Sequence, residues 1–247
     1  MLFHCARTET SMTVTSLATT VQTHGYAVWP GFLDGPRLAS LRRAADELLN
    51  TEHARRYPKS TRVWDLYLHG EPYVDVLCDE RLASVLDALL GDGHLLSDVS
   101  LNQVNRGQPL DEWHIDYPYN EMSTLVRGAL LGLQCVLALD RFAEYNGATQ
   151  LIEGTHQVPR LPAGQAAAHV VYEAEPGSLL IMAAATWHRS GLNRSDKPRT
   201  AVLLSFVERW IKPMSAPTAG LVEPIPRRLR SLLGLETAAE TINGIPI

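Results

Sequence analysis

The chain has 247 residues, of which 45% are apolar and 20% charged, with a net charge of −5; this supplies a sizeable core and excludes disorder as the default. Basic and acidic residues are interspersed, so no cationic block forms the footprint of a nucleic-acid partner. The longest apolar stretches, Gly128 to Leu139 and Ser178 to Trp187, fall short of the roughly 20 residues that span a bilayer, which excludes a membrane partner.

The length suits one domain. Residues 1–15 are rich in Thr and Ser and carry no period, so they read as a flexible leader, with Met12 as an alternative start, and residues 16–247 read as the domain. The N-terminus lacks the basic segment and apolar core of a secretory signal, and the three cysteines, Cys5, Cys78 and Cys135, are odd in number and far apart. A reducing, cytoplasmic location is the expectation.

From Leu17 to Asn50 the pattern predicts helix, then a strand-like piece from Gly25 to Leu33, then a second helix capped by Asp34. Leu38, Leu41, Ala45, Leu48 and Leu49 recur at spacings of three and four, the stripe of a helix packed on a sheet. Lys59 to Tyr73 mixes polar and aromatic residues and suits a pocket rim. Another apolar helix, Leu82 to Leu90, closes at Gly91. After Gly93 short β segments follow: His94 to Val104, Ala129 to Asp140, Thr149 to Glu153, His169 to Tyr172, Ser178 to Met182 and Arg199 to Trp210. Strands so spaced predict a sandwich or barrel over residues 93–212. Residues 213–247, with one short helix from Pro226 to Leu233, are expected to fold back as a cover over its mouth.

Two short motifs in this β region carry chemistry. In a strand, residues two apart share a face, so His114 and Asp116 converge, with Ile115 turned away. Glycine and proline turns flank them, placing the pair where a strand meets a loop. A structural hydrogen-bonded pair is the alternative reading. His188 follows an apolar strand and a run of small residues, and Arg199 lies eleven positions later, at the start of an apolar strand. Two imidazoles and one carboxylate fit one face of an octahedral iron(II), leaving three positions for small ligands. If the flanking strands pair as antiparallel neighbours, Arg199 returns beside His188. Its guanidinium then needs a carboxylate, either from a dicarboxylate co-substrate or from a protein group such as Asp196 or Glu208.

The residues Gly25 to Leu33, Trp113-His114-Ile115-Asp116, Asn146-Gly147-Ala148-Thr149, Glu153-Gly154-Thr155-His156, then His188, Ser190, Asn193 and Arg199, with Leu232-Leu233-Gly234 near the end, resemble the phytanoyl-CoA dioxygenase family. The resemblance spans most of the chain. It implies a mainly β fold with flanking helices around a double-stranded β-helix (jelly-roll, cupin-like) core, and Fe(II), 2-oxoglutarate and O₂ as cofactor and co-substrates. It further implies His114, Asp116 and His188 as iron ligands, Arg199 and Ser190 as the hold on the distal carboxylate of 2-oxoglutarate, and a structural turn at His156.

The implied reaction releases succinate and CO₂ while hydroxylating a C–H bond of a small or medium-sized organic metabolite, in keeping with specialised metabolism; desaturation, epoxidation and oxidative cyclisation share the same cofactors. Asp116 argues against halogenation, because halogenating relatives carry a small residue at that place. Gln103 and Gln134, in apolar strands, are candidates to contact co-substrate or substrate, or else satisfied core amides. Tyr117, Tyr119, Trp64, Tyr67 and His69 are candidates for an aromatic pocket rim, or for the core. Two other classes use the same residues: a metal-dependent hydrolase with zinc-activated water, and a barrel binding module without turnover. Oligomeric state has no signature in the sequence.

Overall fold

The structure, a computed structural model, describes residues 13–107, 112–126, 128–158, 160, 168–215, 220–221, 224–235, 241–242 and 245–246. Helix α1 (Val14–His24) starts at a reciprocal cap, in which the Thr13 hydroxyl accepts the Ser16 amide and the Ser16 hydroxyl accepts the Thr13 amide. Two amides without helical partners are thereby satisfied. Residues 14 and 15, expected in the leader, therefore belong to the helix, while Met12 lies outside the described residues. Gly25 ends α1 at φ +87°, where a Cβ would stand 2.6 Å from His156 Nδ1 and 2.8 Å from Thr186 Oγ1; only glycine fits that approach.

Strand β1 (Tyr26–Trp29) leads to helix α2 (Gly35–Leu49), capped by Asp34 as expected. Strand β2 (Arg55–Arg56) follows, and the segment expected as a pocket rim, Lys59 to Tyr73, then forms regular structure: β3 (Ser60–Trp64), a single 3-10 turn and the start of helix α3 (Glu71–Leu77). Its alternation settles this, since Thr61 and Val63 are buried while Ser60, Arg62 and Trp64 are only half-buried. Helix α4 (Glu80–Leu90) precedes strands β4 (Leu95–Val104), β5 (Gly132–Ala138), β6 (Thr149–Leu151), β7 (Val170–Val171), β8 (Leu179–Ala183), β9 (His188–Ser190) and β10 (Arg199–Val207). Helix α5 (Arg227–Leu232) and a two-stranded pair, β11 (Thr241–Ile242) and β12 (Ile245–Pro246), follow.

Seven strands form one antiparallel sheet in the order β1-β8-β5-β10-β4-β3-β2, and three form a second, β7-β6-β9. Alternation along each strand divides the large sheet into two faces. Leu133, Cys135 and Leu137 of β5, Leu179 and Ile181 of β8, and Val202, Leu204 and Phe206 of β10 join the helices in one apolar core. Val136 and Ala138, Leu180 and Met182, and Ala201 point the other way, onto Leu151 of the small sheet and onto Phe142 and Tyr172.

Helix α5 lies on the helical side, with Leu229, Leu232 and Leu233 in the main core, because that face offers apolar surface to its leucines. Among the described residues of the expected C-terminal cover, Met214 and Ser215 reach the opposite face. There the register of β4 against β10 shifts between Ser205 and Phe206, leaving Ser97 outside the pairing. Freed by this bulge, the Ser97 hydroxyl and carbonyl accept the Met214 and Ser215 amides at 3.1 and 2.9 Å. Among the described residues no helix is long and apolar enough to cross a membrane.

Candidate metal centre and its cavity

His114 and His188 exchange both backbone hydrogen bonds, each 3.0 Å, as an isolated antiparallel pair. Directly opposed residues send their side chains to one side, and the two rings stand 4.4 Å apart between centroids, inclined at 57°. The regular strand expected around His114 is therefore reduced to one bridge, yet the alternation survives. The Asp116 amide donates to the Ala184 carbonyl at 2.8 Å, which turns the carboxylate towards the same rings. The buried run Ala183, Ala184, Ala185 and Thr186 brings the main chain that close.

The ring nitrogens are preset. His114 Nδ1 lies 2.9 Å from the Glu112 carbonyl and His188 Nδ1 lies 2.9 Å from the Thr186 carbonyl. A carbonyl only accepts, so each Nδ1 carries the proton and each Nε2 offers its lone pair. Those Nε2 atoms face Asp116, at 3.4 Å from His188 and 3.9 Å from His114. Donor atoms of all three residues lie within 4.8 Å of one another, a group able to hold a metal ion. Two fixed lone pairs and one carboxylate fit a divalent cation such as iron(II). His188 is the floor at 8% side-chain exposure, and His114 the edge at 43%.

A cavity of about 250 Å³ opens from this group. Arg199 lies in its wall at 2% exposure, with its guanidinium 3.9 Å from the centre of the Phe142 ring. Neither Asp196 nor Glu208 takes it, and Nε has no acceptor. Burial pulls the guanidinium down to about 10, against the attraction of Asp140 and Tyr172. Asp140 does not close an ion pair with it; its carboxylate accepts the Thr200 amide at 2.8 Å and Arg42 at 3.0 Å instead. A stacked, desolvated guanidinium with its fork unused matches a carboxylate brought in by a ligand.

The expected pairing of the strands that carry His188 and Arg199 does not occur. Strand β9 belongs to the small sheet and β10 to the large one, so the two residues meet across the gap between sheets. Asn193, fully buried, fixes the turn between them: its Nδ2 donates to the Lys197 carbonyl at 2.9 Å and the Val104 carbonyl at 3.3 Å, and its Oδ1 accepts the Ser195 hydroxyl at 2.7 Å. Gly147, at φ +79°, packs beneath this turn, where a Cβ would stand 2.9 Å from the Gly191 carbonyl.

Of the other sequence candidates, Ser190, Gln134 and Tyr117 line the cavity, and the Tyr117 hydroxyl donates to the Lys212 carbonyl. Gln103 does not: it faces away from Asn102 on β4, and its amide donates to Thr200 Oγ1 at 3.2 Å. Tyr119 is a core strut whose hydroxyl bridges the Ala129 carbonyl and the Leu131 amide. Trp64 packs edge-on to Tyr57, Tyr67 donates to Asp65, and His69 stacks near His53; none of the three lines the cavity. His156 is bound at Nε2 to the Gln22 carbonyl, beneath Gly25 and outside the cavity. Residues not singled out from the sequence also line the wall, among them the polar Arg62, Asp98, Asn102, Asn120, Arg189 and Ser205 and the apolar Val136, Met182, Leu203 and Met214. The alternation Asp98, Ser100, Asn102 within an apolar strand is the signal that marks three polar residues on one face.

Residues 21–201 match the family model described as Phytanoyl-CoA dioxygenase (PhyH). The chain is 28% identical over 166 residues to the Dioxygenase trt7 of Aspergillus terreus, a match covering 64% of this chain and 58% of that protein. It is 25% identical over 230 residues to the Uncharacterized protein Rv1501 of Mycobacterium tuberculosis, covering 85% and 82%. Among solved structures, the non-heme alpha ketoglutarate dependent epimerase SnoN from nogalamycin biosynthesis superposes with a TM-score of 0.67 at 21% identity, over 79% of this chain and 82% of that one. EctD from S. alaskensis with bound Fe does so with a TM-score of 0.67 at 21% identity, over 83% and 85%. The common fold is the jelly roll, mainly antiparallel sheet with few helices, as the sequence resemblance implies.

Proposed function

The chain belongs to the phytanoyl-CoA dioxygenase family, and on that premise we propose that it is an iron(II)- and 2-oxoglutarate-dependent oxygenase that hydroxylates a C–H bond of a small organic metabolite. The observation that carries this reading is Arg199: a guanidinium at 2% exposure with no acceptor at Nε, in the wall of the cavity that holds the His114, Asp116 and His188 donors. When bound there, iron with 2-oxoglutarate and O₂ supplies an oxidant strong enough for C–H bonds, with succinate and CO₂ as co-products.

The chain's own residues do the rest. The Glu112 and Thr186 carbonyls hold the two Nδ1 protons, so both imidazoles present Nε2 without a tautomer change. Asp116 adds one negative charge, which lowers the net charge of a divalent site. Arg199 and Ser190 take the distal carboxylate of the co-substrate, and Gln134 offers its amide on the same wall. Phe142 stacks over Arg199 and keeps water from its face, which strengthens the carboxylate contact by lowering the local dielectric.

Hydroxylation is the proposed outcome, and the similar folds of SnoN, an epimerase, and SnoK, a carbocyclase, support epimerisation or ring closure as the second reading with the same cofactors. A screen of candidate metabolites separates them: the expected result is succinate formation that depends on iron(II), O₂ and one metabolite, with a product heavier by one oxygen atom. A product of unchanged mass, or lighter by two hydrogens, would favour the second reading. Turnover with zinc in the absence of O₂ and 2-oxoglutarate would overturn both in favour of hydrolysis.

A further inference from the structure

The cavity has two ends. Arg199 opens β10, and six residues later Ser205 pairs with Asp98 of β4 on one side and Gln134 of β5 on the other. Asp116 lies towards that second end, because its amide is bound to Ala184, whose own amide is bound to Gly132 at the start of β5. At roughly 3.3 Å per residue, a molecule held by Arg199 leaves the Asp98 end open to a second molecule.

The polar groups of β3 and β4 along that wall are not satisfied by one another. Asp98 stands opposite Ser205 at the second end, whereas Asn102, on the same face of β4, stands opposite Ala201, two residues from Arg199, with Arg62 of β3 directly across from it on the other side. Arg62 and Asp98 attract each other electrostatically, but no ion pair closes between them. Asp98 instead accepts two neutral hydroxyls, Ser100 at 3.1 Å and Ser215 at 3.4 Å, the latter delivered by the strap docked on the Ser97 bulge. The Asn102 side chain is only 7% exposed, and its Oδ1 has no donor. One cation, one anion and one buried amide oxygen therefore line the same wall, each with hydrogen-bonding capacity unused. A long apolar chain placed here would desolvate all three without compensation.

We propose that Arg62, Asp98 and Asn102 form the substrate subsite and select a small zwitterion, with Arg62 taking a carboxylate, Asp98 an ammonium group and Asn102 Oδ1 a further N–H or O–H. The inference rests on the oxygenase reading of the same cavity, and it narrows the substrate to compounds of the amino-acid type.

The test is binding, not turnover. Anaerobic protein loaded with iron(II) and 2-oxoglutarate is titrated with the common amino acids, and each binder is then compared with its decarboxylated amine and its deaminated acid. The expected result is at least one amino acid bound about tenfold or more tightly than either one-charge analogue. Arg62→Gln should erase the preference over the amine, and Asp98→Asn the preference over the acid, while both variants still bind 2-oxoglutarate. The proposal is overturned if no amino acid binds, if the one-charge analogues bind equally well, or if the variants keep both preferences. Protein that binds 2-oxoglutarate but shows no zwitterion preference sinks the subsite alone; failure to bind 2-oxoglutarate with iron sinks the oxygenase reading as well.

Discussion

Asp79, in the helical layer, and Arg199, on the cavity side of the large sheet, are both withdrawn from water, at 5% and 2% exposure, and they are treated in opposite ways. Asp79 caps α4 and receives Arg37 at 2.7 Å and Arg81 at 2.8 Å. Burial alone would raise its carboxyl, but the two arginines outweigh that and hold it down at about 2. Arg199 has a stacking ring and the attraction of Asp140 and Tyr172, with no hydrogen-bond acceptor at Nε. The Tyr172 hydroxyl beside it also lacks a partner, and burial pushes that phenol up despite the pull of Arg199. A buried charge answered by the protein contributes to the fold; a buried charge left unanswered is a cost that a ligand can relieve.

That contrast can be broken or sharpened by substitution. The largest effect is expected at the metal group itself: Asp116→Ala should weaken iron(II) binding by about 100-fold or more, measured by titration, with the fold intact. Arg199→Met comes next. Losing one side of a buried charge pair should weaken 2-oxoglutarate binding by about 2–5 kcal/mol, or about 30-fold and more, while the melting temperature of the ligand-free protein stays level or rises. A marked fall in that temperature would mean that Arg199 already has a partner within the fold.

Asp79→Ala should do the reverse, costing on the order of 2–3 kcal/mol of stability through a lost cap and two stranded arginines and leaving 2-oxoglutarate affinity unchanged. Its pH dependence follows in sign. With a folded pKa near 2 and an unfolded one near ~3.9, the contribution of Asp79 is complete above about pH 5 and is lost as pH falls towards 2. Denaturant curves of the wild type and Asp79→Ala should therefore converge across that range. The smallest effect is expected at Gly25→Ala. Its Cβ would press on His156 and Thr186, costing about 1–2 kcal/mol. Because the Thr186 carbonyl orients His188, iron affinity should also slip by a few fold.

The candidate metal group was legible in part because two of its members are local: a two-residue alternation places His114 and Asp116 together, while His188 comes from far along the chain, where the small residues before it admit the bridge between the two histidines. Arg199 was legible from its spacing to His188, although the reason given for their meeting was wrong, since the two strands face each other from different sheets. The far wall of the cavity was legible only in part. The alternation of Asp98, Ser100 and Asn102 sets polar residues on one face of β4, but whether that face or the one carrying Gln103 meets the cavity depends on the pairing of β4 with β10 and β3, between residues distant along the chain, which no local pattern encodes. Trp64, Tyr67 and His69 carry the composition of a binding rim, but aromatic surface is equally suited to packing, and Tyr57, Asp65 and His53 claim them. The side of the sheet on which the C-terminal helix packs was not legible for a similar reason: its leucines mark a buried face without saying which sheet face buries it.

The central claim is that Arg199 is held without an internal partner so that a 2-oxoglutarate carboxylate can reach it beside a three-residue iron site. Visible absorption of anaerobic protein mixed with iron(II) and 2-oxoglutarate tests this most directly. The expected result is a weak charge-transfer band that requires both additions, saturates with 2-oxoglutarate, and in Arg199→Met needs about 30-fold more co-substrate, or beyond that, to appear. No band in the folded wild-type protein, or a band whose 2-oxoglutarate dependence is the same in Arg199→Met, would contradict it.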